Sequence, residues 1–98
     1  MLRLDYAPRA FADLERLVEF LLENEPAQAL ETFELIESAL TILPLHPWVG
    51  RAVSGDLREL VISRGRTGYL ALYRMDEAKA RVLVLVIRHQ REAGFSGA

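Results

Sequence analysis

The opening residues follow a strand pattern, and two helical patterns come after it. Residues 2–6 alternate apolar and polar side chains, which predicts a half-buried strand. Apolar side chains then recur at three- and four-residue spacing over residues 11–22 and again over residues 29–43, which predicts two amphipathic helices. A proline suits the N-terminus of each helix, and Pro44 ends the second. The short connection between the two predicts an antiparallel helical hairpin.

The spacing also predicts which side of each helix is buried. The expected buried positions are Phe11, Leu14, Leu17, Val18, Leu21 and Leu22 in the first helix and Ala29, Phe33, Ile36, Leu40 and Leu43 in the second. The side chains expected to face solvent in the first helix are Arg9, Asp13, Arg16, Glu19 and Glu23. Ala7 precedes this helix and offers no side-chain acceptor to its first N–H groups, so the missing N-cap costs about 1 kcal/mol.

The second half of the chain has the composition of strands. A breaker-rich segment over residues 45–56 predicts a loop, and β-rich runs follow at residues 57–62, 69–75 and 81–88, the first two separated by a turn over residues 63–68. Short connections join antiparallel neighbours, so these runs predict a meander. The order β-α-α-β-β-β predicts one α+β domain over residues 1–98, with a helical hairpin packed on one face of a small, mainly antiparallel sheet.

The last strand has a property with consequences for binding. Residues 82–87 are apolar without alternation, which predicts a central strand that is apolar on both faces. Two helices cover only one face of a small sheet. The other face therefore needs cover from the chain's own tail, from a second copy or from a partner, because exposed apolar patches mark interaction sites.

Composition excludes several classes of protein. With no cysteine, the chain has no disulfide framework, thiolate zinc site or thiol nucleophile. Charged residues interrupt the first positions, which argues against a signal peptide, and the longest apolar run falls far short of the ~20 residues that span a bilayer. We therefore expect a cytoplasmic protein without a membrane partner. The two histidines lie far apart in sequence, so a metal site is not expected. No GxxxxGK(S/T) or GxGxxG sequence occurs, and no cofactor is expected.

Charge is divided unevenly along the chain. Residues 1–50 carry three arginines and nine carboxylates, a balance of −6, whereas residues 51–98 carry nine Lys and Arg and five carboxylates, a balance of +4. The basic half is consistent with an acidic partner, and equally with neutralisation of one half by the other inside the fold.

Several short motifs occur in the order found in one family. The opening Tyr6-Ala7-Pro8-Arg9-Ala10-Phe11-Ala12-Asp13-Leu14 holds a proline, an alanine and an Asp-Leu pair at that family's spacing. Further matches are Pro44 with Pro47 and Gly50, Leu57-Arg58-Glu59-Leu60, Gly68-Tyr69 with Leu72-Tyr73-Arg74, and Ile87-Arg88-His89-Gln90-Arg91-Glu92. Together they cover nearly the whole chain and resemble the RelE/ParE toxins of type II toxin–antitoxin systems. Ala7 departs from the pattern, which has a capping serine or threonine.

The resemblance implies a toxin that causes growth arrest, contributes to plasmid stabilisation and is silenced in a hetero-oligomer with a cognate antitoxin. RelE-like members cut messenger RNA on the ribosome, whereas ParE-like members inhibit DNA gyrase. The RelE-like nucleases use lysines and arginines of the second and third strands and a tyrosine in the C-terminal tail.

Three positions depart from that nuclease set. Cutting RNA through its 2′-oxygen needs a base, cations for the phosphorane charge and an acid for the leaving oxygen. Leu70 stands where the nucleases carry an arginine, Phe95 stands nearest to the place of their tail tyrosine, and Glu59 would repel phosphate. A pI near 5.7 also disfavours binding to ribosomal RNA. The sequence therefore favours the ParE-like branch, gyrase as target, and a protein that is not an enzyme.

The candidates for contact with a target are Arg58, Arg66, Arg74, Arg88, His89 and Arg91. For a nuclease, catalysis would fall to Arg58, His89 and Arg91. Each also has a structural interpretation as a solvent-facing strand or loop residue. Tyr69 and Tyr73 share one face of a strand and are expected to pack, and Trp48 is expected to cover the core where helix meets sheet.

A second class of function stays open beside the toxin. The apolar sheet could serve a scaffold that only assembles oligomers, or a non-toxic decoy that only binds the antitoxin. Expression without a partner discriminates these, because a toxin arrests growth and a scaffold or decoy does not.

Overall fold

The computed structural model describes residues 2–64 and 67–89, which form one sheet and a helical hairpin. The elements in chain order are β1 (Arg3–Tyr6), α1 (Pro8–Asn24), a 3-10 turn (Pro26–Gln28), α2 (Ala29–Leu40), β2 (Arg51–Ser54), β3 (Leu57–Arg64), β4 (Thr67–Asp76) and β5 (Arg81–His89). The strand order is β1-β5-β4-β3-β2, with β1 parallel to β5 and every other pair antiparallel. These elements confirm the predicted α+β fold. Within the described ranges, no helix is long and apolar enough to cross a membrane.

β2 lies in the segment predicted to be a loop, so that part of the prediction was wrong. Its residues pair with β3 at the sheet edge, and Gly55 closes the hairpin with a φ of +58°, a left-handed conformation that favours glycine. The breaker-rich composition that predicted a loop marks the turn of this hairpin. β3 ends at Arg64 and β4 begins at Thr67, so both strands are longer than predicted. Residues 65 and 66, between them, lie outside the described residues.

β5 is a central strand, as its two-sided apolar pattern predicted. It lies between β1 and β4, and Val82, Val84 and Ile87 are buried beneath the helices. Leu83 and Val86 point to the other face and are half-buried. The helices therefore cover one face of β5 and leave the second face without cover from the described residues.

α1 buries only part of the predicted stripe: Leu17 and Leu21 are buried as predicted. Ala10, Leu17 and Leu21 contact the core as small and branched apolar side chains, but Phe11 and Leu22 are 58% and 57% exposed. Both side chains lie on the side of α1 away from the sheet. The buried side of the helix carries Ala10, Asp13, Leu17 and Leu21. In α2, Ile36 and Leu40 are buried as predicted, and so is Leu43 just beyond the helix.

Asp13 is the second error in α1, because it was expected to face solvent and is 5% exposed. Its Oδ2 accepts a hydrogen bond of 3.0 Å from the backbone N–H of Ile87, and its Oδ1 accepts one of 2.9 Å from Arg16. β1 pairs with β5 only as far as Val84, so Ile87 has no strand neighbour on that side. The Asp13 carboxylate accepts the hydrogen bond that a neighbouring strand would otherwise accept from Ile87, and it links α1 to β5.

Candidate functional site

We call the sheet face away from the helices the open face. Strand alternation assigns to it Arg51 from β2, Leu57, Glu59 and Val61 from β3, Leu70, Leu72 and Arg74 from β4, and Leu83, Val86 and Arg88 from β5. Its centre is apolar, since Leu70, Leu72 and Val86 are neighbours on adjacent strands. Its cations lie around this apolar centre.

Carboxylates accompany several arginines of the open face. Arg51 pairs with Glu59, which lies opposite it on β3. Arg74 Nη1 lies 3.8 Å from Asp56 Oδ2. These ion pairs lower the positive potential of the face, so it is poorly suited to hold a polyphosphate backbone.

Arg81 joins two carboxylates in an ion cluster at one end of the open face. Its Nη1 donates to Asp5 Oδ2 at 3.1 Å and its Nε donates to Asp76 Oδ2 at 3.0 Å. The hydrogen bonds from Arg81 and Arg3 hold the pKa of Asp5 below its usual value of 3.8. Desolvation alone would raise the pKa of Asp76, but hydrogen bonds from Arg81 and from the Lys79 backbone outweigh it, so this pKa is lowered as well.

This cluster predicts an acid-dependent contribution to stability. Because folding lowers the pKa of Asp5 and Asp76, the contribution is complete above the ordinary value of 3.8 and is lost as the pH falls through the lower, folded values. We expect Arg81→Met to flatten the loss of stability between neutral and strongly acidic pH, measured by urea unfolding across that range. Lys79→Met, which removes an exposed cation that forms no salt bridge among the described residues, should keep the wild-type dependence; an equal flattening in both variants would contradict the assignment.

Arg58 lies on the face of β3 that is turned toward the helices, and its guanidinium binds the loop that precedes β2. Its Nη1 donates to the carbonyl oxygens of Gly50 at 2.6 Å and Trp48 at 3.2 Å, and its guanidinium lies 5.0 Å from the centre of the Trp48 ring. The Trp48 residue is 59% exposed, so the expectation that it covers the core was wrong. Its indole instead packs on a cation at the surface.

Tyr73 binds the same loop from within the core. It is fully buried, its hydroxyl donates to the Pro47 carbonyl at 2.7 Å, and it accepts the Gly50 N–H at 2.9 Å. Tyr69 is also buried, which confirms that the two tyrosines pack into the core. Arg58 and Tyr73 together fix residues 47–50 against β3 and β4, which gives Arg58 a structural task.

The remaining candidates that the structure describes, Arg74, Arg88 and His89, do not converge on one site. Arg88 faces the open side opposite Leu70, whereas His89 faces the helix side and makes an edge contact with Tyr69, with ring centres 5.1 Å apart. Arg74 lies four residues along β4 from Leu70, which is roughly 13 Å in a strand. Arg66 and Arg91 lie outside the described residues, as does Phe95. Among residues 2–64 and 67–89, no three His, Asp or Glu side chains are grouped to hold a metal ion.

Sequence reasoning missed Asp13, although a signal for it was present. Ala10, Asp13, Leu17 and Leu21 follow the three- and four-residue spacing of one helix face. Asp13 was assigned to solvent because of its charge, and its acceptor role requires knowledge of where β1 ends beside β5.

Comparison with known proteins places this geometry in a family. A family model for the ParE toxin of the type II toxin–antitoxin system parDE matches residues 4–94. The chain belongs to the RelE/ParE toxin family. The toxin is 36% identical over 92 residues to Toxin RelE3 of Caulobacter vibrioides, a match that covers 94% of this chain and 98% of the relative.

Solved structures support the same fold for the toxin. A chain of the chromosomal ParDE system of P. aeruginosa superposes with a TM-score of 0.74 and 22% identity, covering 90% of this chain and 95% of the other. The intact E. coli RelBE toxin–antitoxin complex contains a chain that superposes with a TM-score of 0.66 and 16% identity, at the same coverage. The toxin thus shares its fold with chains from both ParE and RelE systems, and the fold alone does not distinguish a target.

Proposed function

We propose that this toxin inhibits DNA gyrase in the cytoplasm, in the manner of the ParE branch, and is neutralised by a cognate antitoxin. The observation that supports the proposal best is the composition of the open face. Leucines and a valine occupy its centre, and Arg51, Arg74 and Arg81 each lie beside a carboxylate. Such a surface suits contact with a protein better than it suits positioning RNA for cleavage.

The separation of the candidate residues supports the same choice. A ribonuclease needs cations and a proton-transfer group around one phosphate. The only histidine near the end of β5, His89, lies on the face opposite to Arg88, and Arg58 donates to backbone carbonyls. Arg88 therefore has neither His89 nor Arg58 beside it on the open face.

An antitoxin partner is supported by the solved relatives and by the surface. The superposing E. coli chain comes from a toxin–antitoxin complex. The toxin itself exposes large apolar side chains on the hairpin and half-exposes others on the open face, which are the features of a surface that is covered in a complex.

Cleavage of messenger RNA on the ribosome is the second candidate function. It is favoured by the names of the curated relatives, since both Toxin RelE3 and Toxin RelE1 of Caulobacter vibrioides carry the RelE name at 36% and 37% identity. A non-toxic antitoxin-binding decoy is the third. For the nuclease, the catalytic candidates include Arg91, which lies outside the described residues.

Two assays on the purified toxin separate these functions. We expect the toxin to block supercoiling by DNA gyrase and to leave messenger RNA intact in a translating extract. Cleavage at codons in that extract, lost in His89→Ala or Arg91→Ala, would replace gyrase with the ribosome as target. Growth after expression without antitoxin provides the control, because arrest excludes the decoy.

Arg74→Ala and Arg88→Ala then test whether the open face contacts the target.

A further inference from the structure

Four exposed apolar side chains lie between the end of α2 and the start of β2. They are Ile42, Leu45, Trp48 and Val49, and each is between 46% and 63% exposed. The Ile42 carbonyl accepts the N–H groups of Leu45 and His46, and the His46 carbonyl accepts the N–H of Val49, so these eight residues form a compact pair of turns. We call the four side chains the Trp48 patch. Large apolar side chains grouped in this way on the surface mark an interaction site.

The backbone beneath the Trp48 patch is held in place by two side chains of the sheet. The buried Tyr73 hydroxyl donates to the Pro47 carbonyl and accepts the Gly50 N–H. Arg58 donates to the carbonyl oxygens of Trp48 and Gly50, and its guanidinium lies 5.0 Å from the centre of the indole ring. One side of the indole is therefore supported by a cation while most of the residue stays exposed. An aromatic side chain that is ordered before binding loses little conformational entropy on contact, which is the property of an interface anchor.

The charge around the Trp48 patch indicates which kind of molecule it fits. Residues 38–55 contain one arginine and no carboxylate, whereas residues 8–37 contain two arginines and eight carboxylates. The one arginine, Arg51, pairs with Glu59 on β3, so the surroundings of the patch are close to neutral. Nucleic acid and anionic lipid surfaces are bound through clustered cations, which this patch does not offer. A near-neutral apolar surface fits an apolar pocket on another protein.

The position of the Trp48 patch connects it to the open face of the sheet. β2 follows the patch directly, and all four residues of this edge strand are exposed. Arg51 lies on the open face, whereas Ala52 pairs with Arg58 and lies on the side turned toward the helices. The edge formed by β2 therefore joins the Trp48 patch to the open face, to which the proposed function assigns contact with a protein. A protein that binds the open face near this edge meets the patch as well.

We propose that the Trp48 patch contacts the protein that the toxin inhibits, with the Trp48 indole as the anchor in an apolar pocket of that protein. The inference rests on the function proposed above, which makes the target a protein, DNA gyrase. Ile42, Leu45 and Val49 surround the anchor and exclude water from the contact. The affinity comes from buried apolar surface, so the contact needs no charged side chain in the pocket.

Variants of Trp48 in the full-length toxin test the proposal by inhibition of gyrase supercoiling. Trp48→Ala should raise the toxin concentration for half-inhibition at least about tenfold, as expected when an interface anchor is truncated. Trp48→Phe keeps an aromatic ring beside Arg58 and should recover most of the inhibition. Phe20→Ala is the matched control, because it removes a similarly exposed aromatic side chain from α1, and it should inhibit like the wild type.

Three further measurements separate target contact from a structural role of the indole. Trp48→Ala should unfold in urea at close to the wild-type midpoint, because Arg58 binds backbone carbonyls that the variant retains. Its affinity for the antitoxin should match that of the wild type. The ratio between its half-inhibition concentration and that of the wild type should stay constant between about 0.05 and 0.2 M salt, because screening weakens contacts between charges and not apolar ones.

Several results would overturn the inference. They are full inhibition of gyrase by Trp48→Ala, an equal loss of inhibition in Phe20→Ala, and an equal loss of antitoxin affinity in Trp48→Ala. Binding of the wild type to anionic lipid vesicles that Trp48→Ala abolishes would assign the patch to a membrane surface instead. Sedimentation of the toxin alone as an oligomer that Trp48→Ala dissociates would assign it to a second copy.

A failure of the proposed function is separate, because it shows as intact supercoiling in the presence of the wild-type toxin. Growth arrest after expression without antitoxin then decides the inference, since it does not depend on the identity of the target. Relief of the arrest by Trp48→Ala and not by Phe20→Ala, at equal amounts of protein, supports the patch as the target contact. Arrest by Trp48→Ala at wild-type strength, or a wild type that arrests nothing, overturns it.

Discussion

Replacing Asp13 with alanine is expected to lower the free energy of unfolding by roughly 2–4 kcal/mol, a large fraction of the stability of a small domain. The carboxylate is buried and accepts the Ile87 N–H at 3.0 Å. Its removal leaves a buried backbone N–H without an acceptor and also deletes the charged hydrogen bond to Arg16. Both losses act on the junction between α1 and the central strand. Urea unfolding at neutral pH measures the effect.

Two further variants separate the hydrogen bond from the charge. Asp13→Asn keeps an oxygen for the Ile87 N–H and should lose less stability than Asp13→Ala. Glu19→Ala removes an exposed carboxylate from the same helix and should change stability by less than about 0.5 kcal/mol. If Asp13→Ala were no more destabilising than Glu19→Ala, the carboxylate would not hold α1 to β5.

The sheet shows which features a sequence discloses and which it does not. Residues 82–87 predicted a central strand because burial on both faces requires apolar side chains at consecutive positions. β2 was not predicted, because all four residues of this edge strand are exposed and the strand is stabilised by pairing with β3, which leaves no apolar pattern. Pairing across the sheet is a tertiary property that local composition does not encode.

The helices and the candidate site show a similar limit. Periodicity located both helices, but the burial of Asp13 depends on the strand beside it. The candidates Arg88 and His89 are adjacent in sequence but face opposite sides of the sheet, since neighbouring strand residues point to opposite faces. The same alternation identifies the open face. Leu70, the residue that stands where RelE-like nucleases carry an arginine, lies in the apolar centre of that face.

Gly50→Ala is expected to destabilise the toxin by about 1–3 kcal/mol through overpacking. A Cβ at this position would lie 2.6 Å from the Tyr73 hydroxyl oxygen and 2.9 Å from the Glu59 carbonyl oxygen. The hydroxyl cannot withdraw freely, because it accepts the Gly50 N–H and donates to the Pro47 carbonyl. Urea unfolding gives the loss of stability. Trp48, the single tryptophan, lies in the same loop and reports its displacement by a change in fluorescence.

The double variant Gly50→Ala with Tyr73→Phe tests this contact directly. Tyr73→Phe alone should cost about 1–3 kcal/mol, because the buried Gly50 N–H loses its acceptor. It also removes the hydroxyl oxygen, which lies 2.6 Å from the new Cβ, and it frees the ring, whose Cε1 would lie 2.7 Å away, from its two hydrogen bonds. The double variant should therefore lose less stability than the two single variants together. Tyr6→Phe is the matched control, since no hydrogen bond to its hydroxyl is recorded among residues 2–64 and 67–89, and it should change stability by less than about 0.5 kcal/mol. Strict additivity of the two single changes would show that the Tyr73 hydroxyl is not what opposes the alanine side chain.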